Sequence, residues 1–307
     1  MKKVVVFGSF VVDMMSRAPH LPVPGETVKG SLFKMGPGGK GFNQCVAAHK
    51  AGAQVTMVTK LGKDSFANVA LDTMDSLKMD KTHLFYTQTD ETGIALILVD
   101  EQSSQNEIII VPGACNTITK EDVSKVEELI GSAEYVLLQL EVNQDANEMV
   151  AEIARKNGCK VIVNTAPYAA MTDEFLKNVY MVTPNEVEAE EITGIKIDGL
   201  ESAKKAAEFF RGKGIEDVVI TLGSRGVFVS SKGRDEIIPA YKVKAVDTTG
   251  AGDAFNGGLL AALAEGKNIW DAVKFSNALA ALSVQKMGTT PSMPTREEID
   301  GFMKEHK

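Results

Sequence analysis

Short runs of β-branched and apolar residues recur along the chain at Val4–Phe7, Val55–Thr59, Tyr135–Leu140, Lys160–Val163, Tyr180–Val182 and Val218–Leu222. Between most of them lie stretches with apolar residues at helical spacing, among them Glu121–Ile130, Asn147–Lys156, Ala203–Gly212 and Ala254–Ala264. A strand followed by a helix returns the chain to the sheet in the same direction. The alternation therefore predicts an α/β fold: a doubly wound, mainly parallel sheet with helices on both faces. At 307 residues the core is not limited by size, and residues 1–307 read as one α/β domain.

Two segments interrupt this rhythm. Met14–Met35 carries Pro19, Pro22, Pro24 and Gly25 ahead of an alternating stretch, Thr27–Phe33. Ile94–Val99 and Ile108–Val111 flank the polar stretch Asp100–Glu107, which reads as a hairpin. Together they predict a small antiparallel β-lid built from two excursions, about 14–38 and 92–111. An ordinary edge hairpin is the plainer alternative.

Hydrophobic residues at 44% and charged residues at 24% place the chain among soluble globular proteins. A net charge of −8 without a basic run argues against a nucleic-acid partner, since phosphates need a neutralising patch. No window reaches the roughly 20 apolar residues of a membrane span. Met1-Lys2-Lys3 before Val4–Phe7 could begin a leader, but Gly8 and Asp13 interrupt it. Cys45, Cys115 and Cys159 form no CxxC, so neither a disulfide framework nor a zinc site is expected, and a reducing cytoplasm fits. His20, His49, His83 and His306 show no ligand or triad spacing and read as surface or lid residues.

Two glycine clusters carry the chemistry. Gly36, Gly38 and Gly41 satisfy G-x-G-x-x-G ahead of a helical pattern through Val46, Ala47 and His49. A dinucleotide site would need a buried parallel strand before them, whereas Ser31–Met35 alternates and contains Lys34. The second cluster, Asp247-Thr248-Thr249-Gly250-Ala251-Gly252-Asp253, runs directly into an apolar helix. Amides of Gly250, Ala251 and Gly252 at that helix start would form a hole for an anion. Asp253 beside it could merely complement the helix dipole. Three small residues ahead of it favour a chemical role, orienting a substrate hydroxyl while the hole stabilises charge on a phosphoryl group.

Gly38-Gly39-Lys40-Gly41-x-Asn43, Leu138-Gln139-Leu140-Glu141, Thr183-Pro184-Asn185-Glu186-x-Glu188, Thr221-Leu222-Gly223-Ser224-Arg225-Gly226 and Asp247-Thr-x-Gly-Ala-Gly-Asp253 occur in that order. In this ordered set the whole chain resembles the ribokinase (PfkB-type) carbohydrate kinase family. The resemblance implies ATP-dependent phosphorylation of a pentose's terminal hydroxyl, and a homodimer through the β-lid. It makes Asp253 the catalytic base and Gly250, Ala251 and Gly252 the anion hole. Val11, Val12, Asp13, Gly39, Lys40, Gly41, Phe42, Asn43 and Glu141 fall at the sugar. Asn185, Thr221, Leu222, Gly223, Ser224, Arg225, Gly226, Gly252 and Asn277 fall at the nucleotide. Glu188 falls at the motif associated with Mg2+, and Asp247, Thr249, Ser283, Lys286, Gly288 and Ser292 fall where the family holds K+.

The resemblance also has departures. Where ribokinases usually read Gly-Ser-x-Asn-x-Asp, this chain has Gly8-Ser9-Phe10-Val11-Val12-Asp13. Val11 has no side-chain donor or acceptor for a hydroxyl, and deoxyribokinases are similar in having an apolar residue there. The expected substrate is D-ribose or 2-deoxy-D-ribose, with Val11 pointing to the latter. Phe42 replaces a small residue and would either narrow the sugar pocket or pack under the lid. Asn277 stands where some relatives place a His near adenine.

Overall fold

In the computed structural model, which describes residues 2–103 and 105–306, the first apolar run forms strand β1 (Val4–Phe7), buried along its whole length. The chain then leaves the core for β2 (Val11–Ala18) and β3 (Leu32–Gly38) and returns through helix α1 (Lys40–Lys50) to β4 (Val55–Gly62). Helix α2 (Ala67–Ser76) and β5 (Leu84–Thr87) lead to a second excursion, β6 (Thr92–Asp100) and β7 (Asn106–Gly113). Helices α3 (Lys120–Ser124) and α4 (Glu127–Ser132) precede β8 (Tyr135–Gln139), α5 (Gln144–Lys156), β9 (Lys160–Asn164), α6 (Asp173–Leu176) and β10 (Met181–Val182). Then come α7 (Glu186–Thr193), α8 (Leu200–Gly212), β11 (Asp217–Thr221), β12 (Val227–Ser231) and β13 (Arg234–Ile238). Helices α9 (Ala251–Ala264), α10 (Ile269–Ser283) and α11 (Arg296–Glu305) follow.

The larger sheet has the order β13-β12-β11-β10-β9-β8-β1-β4-β5 and is parallel except for the β11–β12 and β12–β13 pairings. Chain order reverses between β8 and β1, where Val4 pairs with Tyr135 on one side and Val55 on the other. Connections leave these two strands toward opposite edges. That opens a crevice at their carboxyl ends, the place where doubly wound folds bind ligands. The two excursions form a separate four-stranded sheet, β3-β2-β6-β7. Its outer pairings are antiparallel, and the β2–β6 pairing that joins the excursions is parallel.

Several local expectations need correction. The Glu121–Ile130 helix breaks into α3 and α4: the Thr119 capping box starts the first, and Val126 leaves helical geometry after it. The alternation at Thr27–Phe33 enters a strand only at Leu32; the partner strand lies earlier, at Val11–Ala18. Pro37 is tolerated because β3 is an edge strand. Asp13 is therefore in β2 of the small sheet. Gly36 and Gly38 lie at the end of this largely exposed antiparallel edge strand and Gly41 just beyond it, so, as expected, they lack the buried parallel strand of a dinucleotide fingerprint. His49 is neither exposed nor in the lid: it is half-buried on α1, with its ring against the Leu77 carbonyl at 2.9 Å. Cys45, Cys115 and Cys159 are buried free thiols, and no helix among the described residues is long and apolar enough to cross a membrane.

Candidate active site

The site begins at the carboxyl edge of the parallel sheet, at the β1–β8 reversal. Ser9 follows β1 and Glu141 follows β8, and the Ser9 hydroxyl donates to Glu141 Oε2 at 2.5 Å. The same oxygen accepts the backbone N–H of Lys40 at 2.8 Å, so Glu141 caps the start of α1. That turn requires its glycines. Gly39 has φ 86°, and a Cβ on Gly41 would lie 2.6 Å from the Ser9 nitrogen.

Helix α1 then crosses α9 at close range. A Cβ on Gly257 would lie 2.5 Å from both Ala47 Cβ and the Gln44 carbonyl, so only glycine lets the two backbones approach this far. The crossing carries Asn43 and Gln44 to Asp253. Asn43 Nδ2 donates to Oδ2 at 3.0 Å and Gln44 Nε2 to Oδ1 at 2.9 Å. Burial pushes the Asp253 carboxyl above its ordinary value, while the Lys40 charge and the two amides pull it back toward ionisation. Burial alone would lower the Lys40 ammonium, but Asp253, Glu141 and Glu188 together hold it above its usual range. Asp13 on β2 faces the same space and is pushed up to about 6, by burial first and then by the Glu141 and Asp253 charges.

Beside these carboxylates a cavity of about 220 Å³ opens at the N-terminus of α9, lined by Lys40, Asn185, Glu188, Thr248, Gly250–Asp253 and their neighbours. Gly250 is the N-cap, with φ 75°, and nothing lies within 4 Å of a Cβ built on Gly252. Among the described residues the Gly252 and Asp253 amides have no backbone partner, so they and the helix dipole face the cavity as anion donors. Ala251 differs from the expectation: its N–H donates to the Thr248 carbonyl at 3.2 Å. The Gly252 carbonyl is held by Asn256 Nδ2 at 2.8 Å, and Asn256 Oδ1 accepts the Thr183 hydroxyl at 2.6 Å.

The opposite wall is the turn after β10. Asn185 caps α7 in a reciprocal box with Glu188, and Glu188 also accepts the Thr165 hydroxyl at 3.0 Å. Asn185 bridges to Thr221 at the end of β11. Gly223 has φ 55° and open space around it, whereas a Cβ on Gly226 would collide with the β13 backbone. Leu222 is buried and Ser224 exposed. Arg225 is committed elsewhere, pairing with Glu186 and donating to the Asp198 and Ile197 carbonyls, so it fastens a loop. Asn277 Nδ2 donates to the Pro239 carbonyl at 3.2 Å. Near the start of α9 the Asp247 carboxylate accepts the amides of Thr249 at 3.0 Å and Gly288 at 2.9 Å. The Val246 and Asp247 amides meet the Val284 carbonyl, which draws the 247–249 and 283–292 loops together. Ser283 and Ser292 hydroxyls turn to backbone carbonyls, and the Lys286 ammonium pairs with Glu298 at 2.8 Å.

Two expected sugar contacts fall away. Phe42 is fully buried edge-on against Phe10, with ring centroids 5.0 Å apart, and Val12 points into the same core. Val11 shares the Asp13 face of β2, beneath Gly93. Sequence reading missed Gln44, Gln139, Asn164, Asn256 and Thr290 as parts of the site. For Gln139 a signal was present: a fully buried glutamine inside an apolar strand requires polar partners.

Comparison with known proteins agrees with this geometry. The family model described as pfkB family carbohydrate kinase matches residues 1–296. A Haemophilus influenzae protein named ribokinase is 42% identical over 302 residues, 98% of each chain. A Salmonella typhi protein named deoxyribokinase is 33% identical over 308 residues, again 98% of each chain. The solved structure of Arabidopsis thaliana ribokinase complexed with ribose and ATP superposes with a TM-score of 0.92 at 29% identity, covering 99% of each chain. The chain belongs to the PfkB family of carbohydrate kinases. Within that family it is an ATP-dependent sugar kinase of the ribokinase type.

Proposed function

We propose that this kinase transfers the γ-phosphate of ATP to the 5-hydroxyl of a pentose, D-ribose or 2-deoxy-D-ribose. The observation that carries the proposal is the convergence of Asp13, Glu141 and Asp253 on one side of the α9 N-terminal cavity. Among the described residues the Asp13 carboxylate makes no hydrogen bond and Glu141 Oε1 has no partner, which leaves carboxylate acceptors for vicinal sugar hydroxyls. Asp253 orients the 5-hydroxyl and accepts its proton as the bond to phosphorus forms. Lys40 and the Gly252 and Asp253 amides stabilise charge on the migrating phosphoryl group. Phosphoryl transfer asks mainly for positioning and charge stabilisation, so a carboxylate serves as the base.

ATP lies along Asn185 and the Thr221–Gly226 turn. Glu188, a carboxylate on the cavity wall, would hold magnesium, with phosphates and water completing its shell. Magnesium there would neutralise phosphate charge. Asp247, Thr249, Ser283, Lys286, Gly288 and Ser292 would hold potassium, partly through backbone carbonyls, on the loops that the Asp247 clasp draws together. Exchange of potassium for sodium should lower turnover, and indifference would remove the cation from the account.

The four-stranded sheet serves as lid and dimer surface. Phe33, Met35, Leu96, Leu98, Ile109 and Val111 fall on one face by alternation and are exposed, an apolar face suited to a second copy. Val11 supports 2-deoxy-D-ribose as a good substrate. Measuring kcat/KM for both pentoses tests this: Val11→Asn should shift the ratio toward ribose by about tenfold. A strong ribose preference in the unaltered enzyme, unmoved by Val11→Asn, would exclude it.

A further inference from the structure

We propose that Gln44, locked by Asn164 and Gln139, is a positioning residue for Asp253: a directed chain of side-chain amides obliges it to donate to the carboxylate. This rests on the reading of Asp253 as the base. The chain starts at a group whose polarity cannot change. The Thr183 carbonyl can only accept, so Asn164 turns Nδ2 to it at 3.0 Å. Asn164 Oδ1 must then face Gln44 and takes its Nε2 at 3.0 Å. The same Nε2 reaches Asp253 Oδ1 at 2.9 Å. Gln44 Oε1 is left as the acceptor, and Gln139 Nε2 meets it at 2.7 Å. Gln139 Oε1 is left over, buried and without a partner. Space for it exists only because residue 8 is glycine, since a Cβ there would collide with it.

That orphan oxygen shows which way the chain is biased. Turning the Gln139 amide over would set its oxygen against Gln44 Oε1, so the unsatisfied atom is tolerated to keep the Gln44 amide in one sense. Asn43 provides the contrast. Its Oδ1 accepts from the Thr290 hydroxyl at 2.9 Å, and a hydroxyl can donate or accept, so only the charge on Asp253 keeps Asn43 donating: once the carboxyl is protonated, Asn43 can reverse and accept from it. Gln44 has no such freedom. Lys40, Glu141 and Asp13 are the other charged groups facing Asp253, and only Lys40 favours its ionised form. An amide that cannot reverse keeps a buried base unprotonated and its oxygens aimed.

The full-length protein carrying aspartate labelled with 13C at the side-chain carboxyl tests this by NMR titration. Asp253 is assigned by the signal lost in Asp253→Asn. Gln44→Met keeps the bulk and removes the donor; Gln139→Met keeps the bulk and removes the lock. Gln44→Met should raise the Asp253 pKa by about one unit, and Gln139→Met should raise it by less. The acid limb of kcat should move with the carboxyl, while KM for the pentose changes less than about threefold. An Asp253 titration unmoved in both variants overturns the proposal, and Gln139→Met decides alone if Gln44→Met does not fold. A carboxyl that shifts while the acid limb stays fixed upholds the amide chain and removes Asp253 as the base.

Discussion

The α1–α9 crossing and the four-stranded lid break the usual rule of burial in opposite directions. At the crossing, amides and a carboxylate are buried where leucines would ordinarily sit: Asn43, Gln44, Gln139, Asn164 and Asp253 are all nearly inaccessible. In the lid, large apolar residues are outside, with Ile109 64% and Phe33 62% exposed. Each departure carries a free-energy cost that folding alone would not retain. Buried polar groups with every direction specified give a rigid, preorganised centre. An apolar sheet left open gives a surface that another body must cover. On the function proposed above, chemistry would belong to the first region, and closure and assembly to the second.

The largest effect should come from the crossing. Asp253→Asn should lower kcat by at least about a thousandfold, with sugar affinity by calorimetry nearly unchanged; retained turnover would take the centre out of the comparison. Gly257→Val inserts bulk against Ala47 and the Gln44 carbonyl. Urea unfolding should then show a loss of about 3 kcal/mol, with activity falling alongside. If stability holds, the close approach is not what seats Gln44.

Lid changes should act on assembly rather than on the core. Combining Phe33→Ser with Ile109→Ser should shift sedimentation toward a monomer while moving the melting temperature of the core by no more than about 2 °C. A large drop in melting temperature would show the two regions to be one cooperative unit.

Asp13 stands between them, on a strand of the four-stranded sheet but facing the carboxylates. Its folded pKa of about 6 lies above the ordinary 3.8. Between those values the folded chain keeps a proton that the unfolded chain has lost, so the stability from Asp13 is present in acid and lost as pH rises through 6. Asp13→Asn should therefore raise the melting temperature at pH 7.5 by about 5 °C, and the gain should vanish near pH 4. A gain independent of pH would assign it to packing.

The sequence disclosed these two regions unequally. Strand runs such as Val4–Phe7 and Tyr135–Leu140 announce buried parallel strands because both faces are apolar, and the observed strands begin within a residue of them. Pro19, Pro22 and Pro24 marked the loop between β2 and β3 rather than the point where the chain leaves the core, and β3 holds Gly36, Pro37 and Gly38, which no propensity would place in a strand. Its pairing with β2 is a long-range event invisible in local pattern. Asp253 and its glycines were legible because helix-start chemistry is local. Gln44 and Asn164 were not, since their roles depend on which carbonyl lies 3.0 Å away across the sheet. Phe42 was misplaced for the same reason: its place in a sugar-binding motif suggested the pocket or the lid, while the fold turned the ring to Phe10.

The account stands most directly on the product of the unaltered enzyme, followed by 31P NMR with ATP and each pentose in turn. It predicts one ADP formed for each pentose phosphorylated at the 5-position, with no phosphate signal at any other carbon. ADP appearing with free phosphate alone, or a phosphate on a different hydroxyl, would contradict the placing of the sugar's terminal alcohol between Asp253 and the amides of α9.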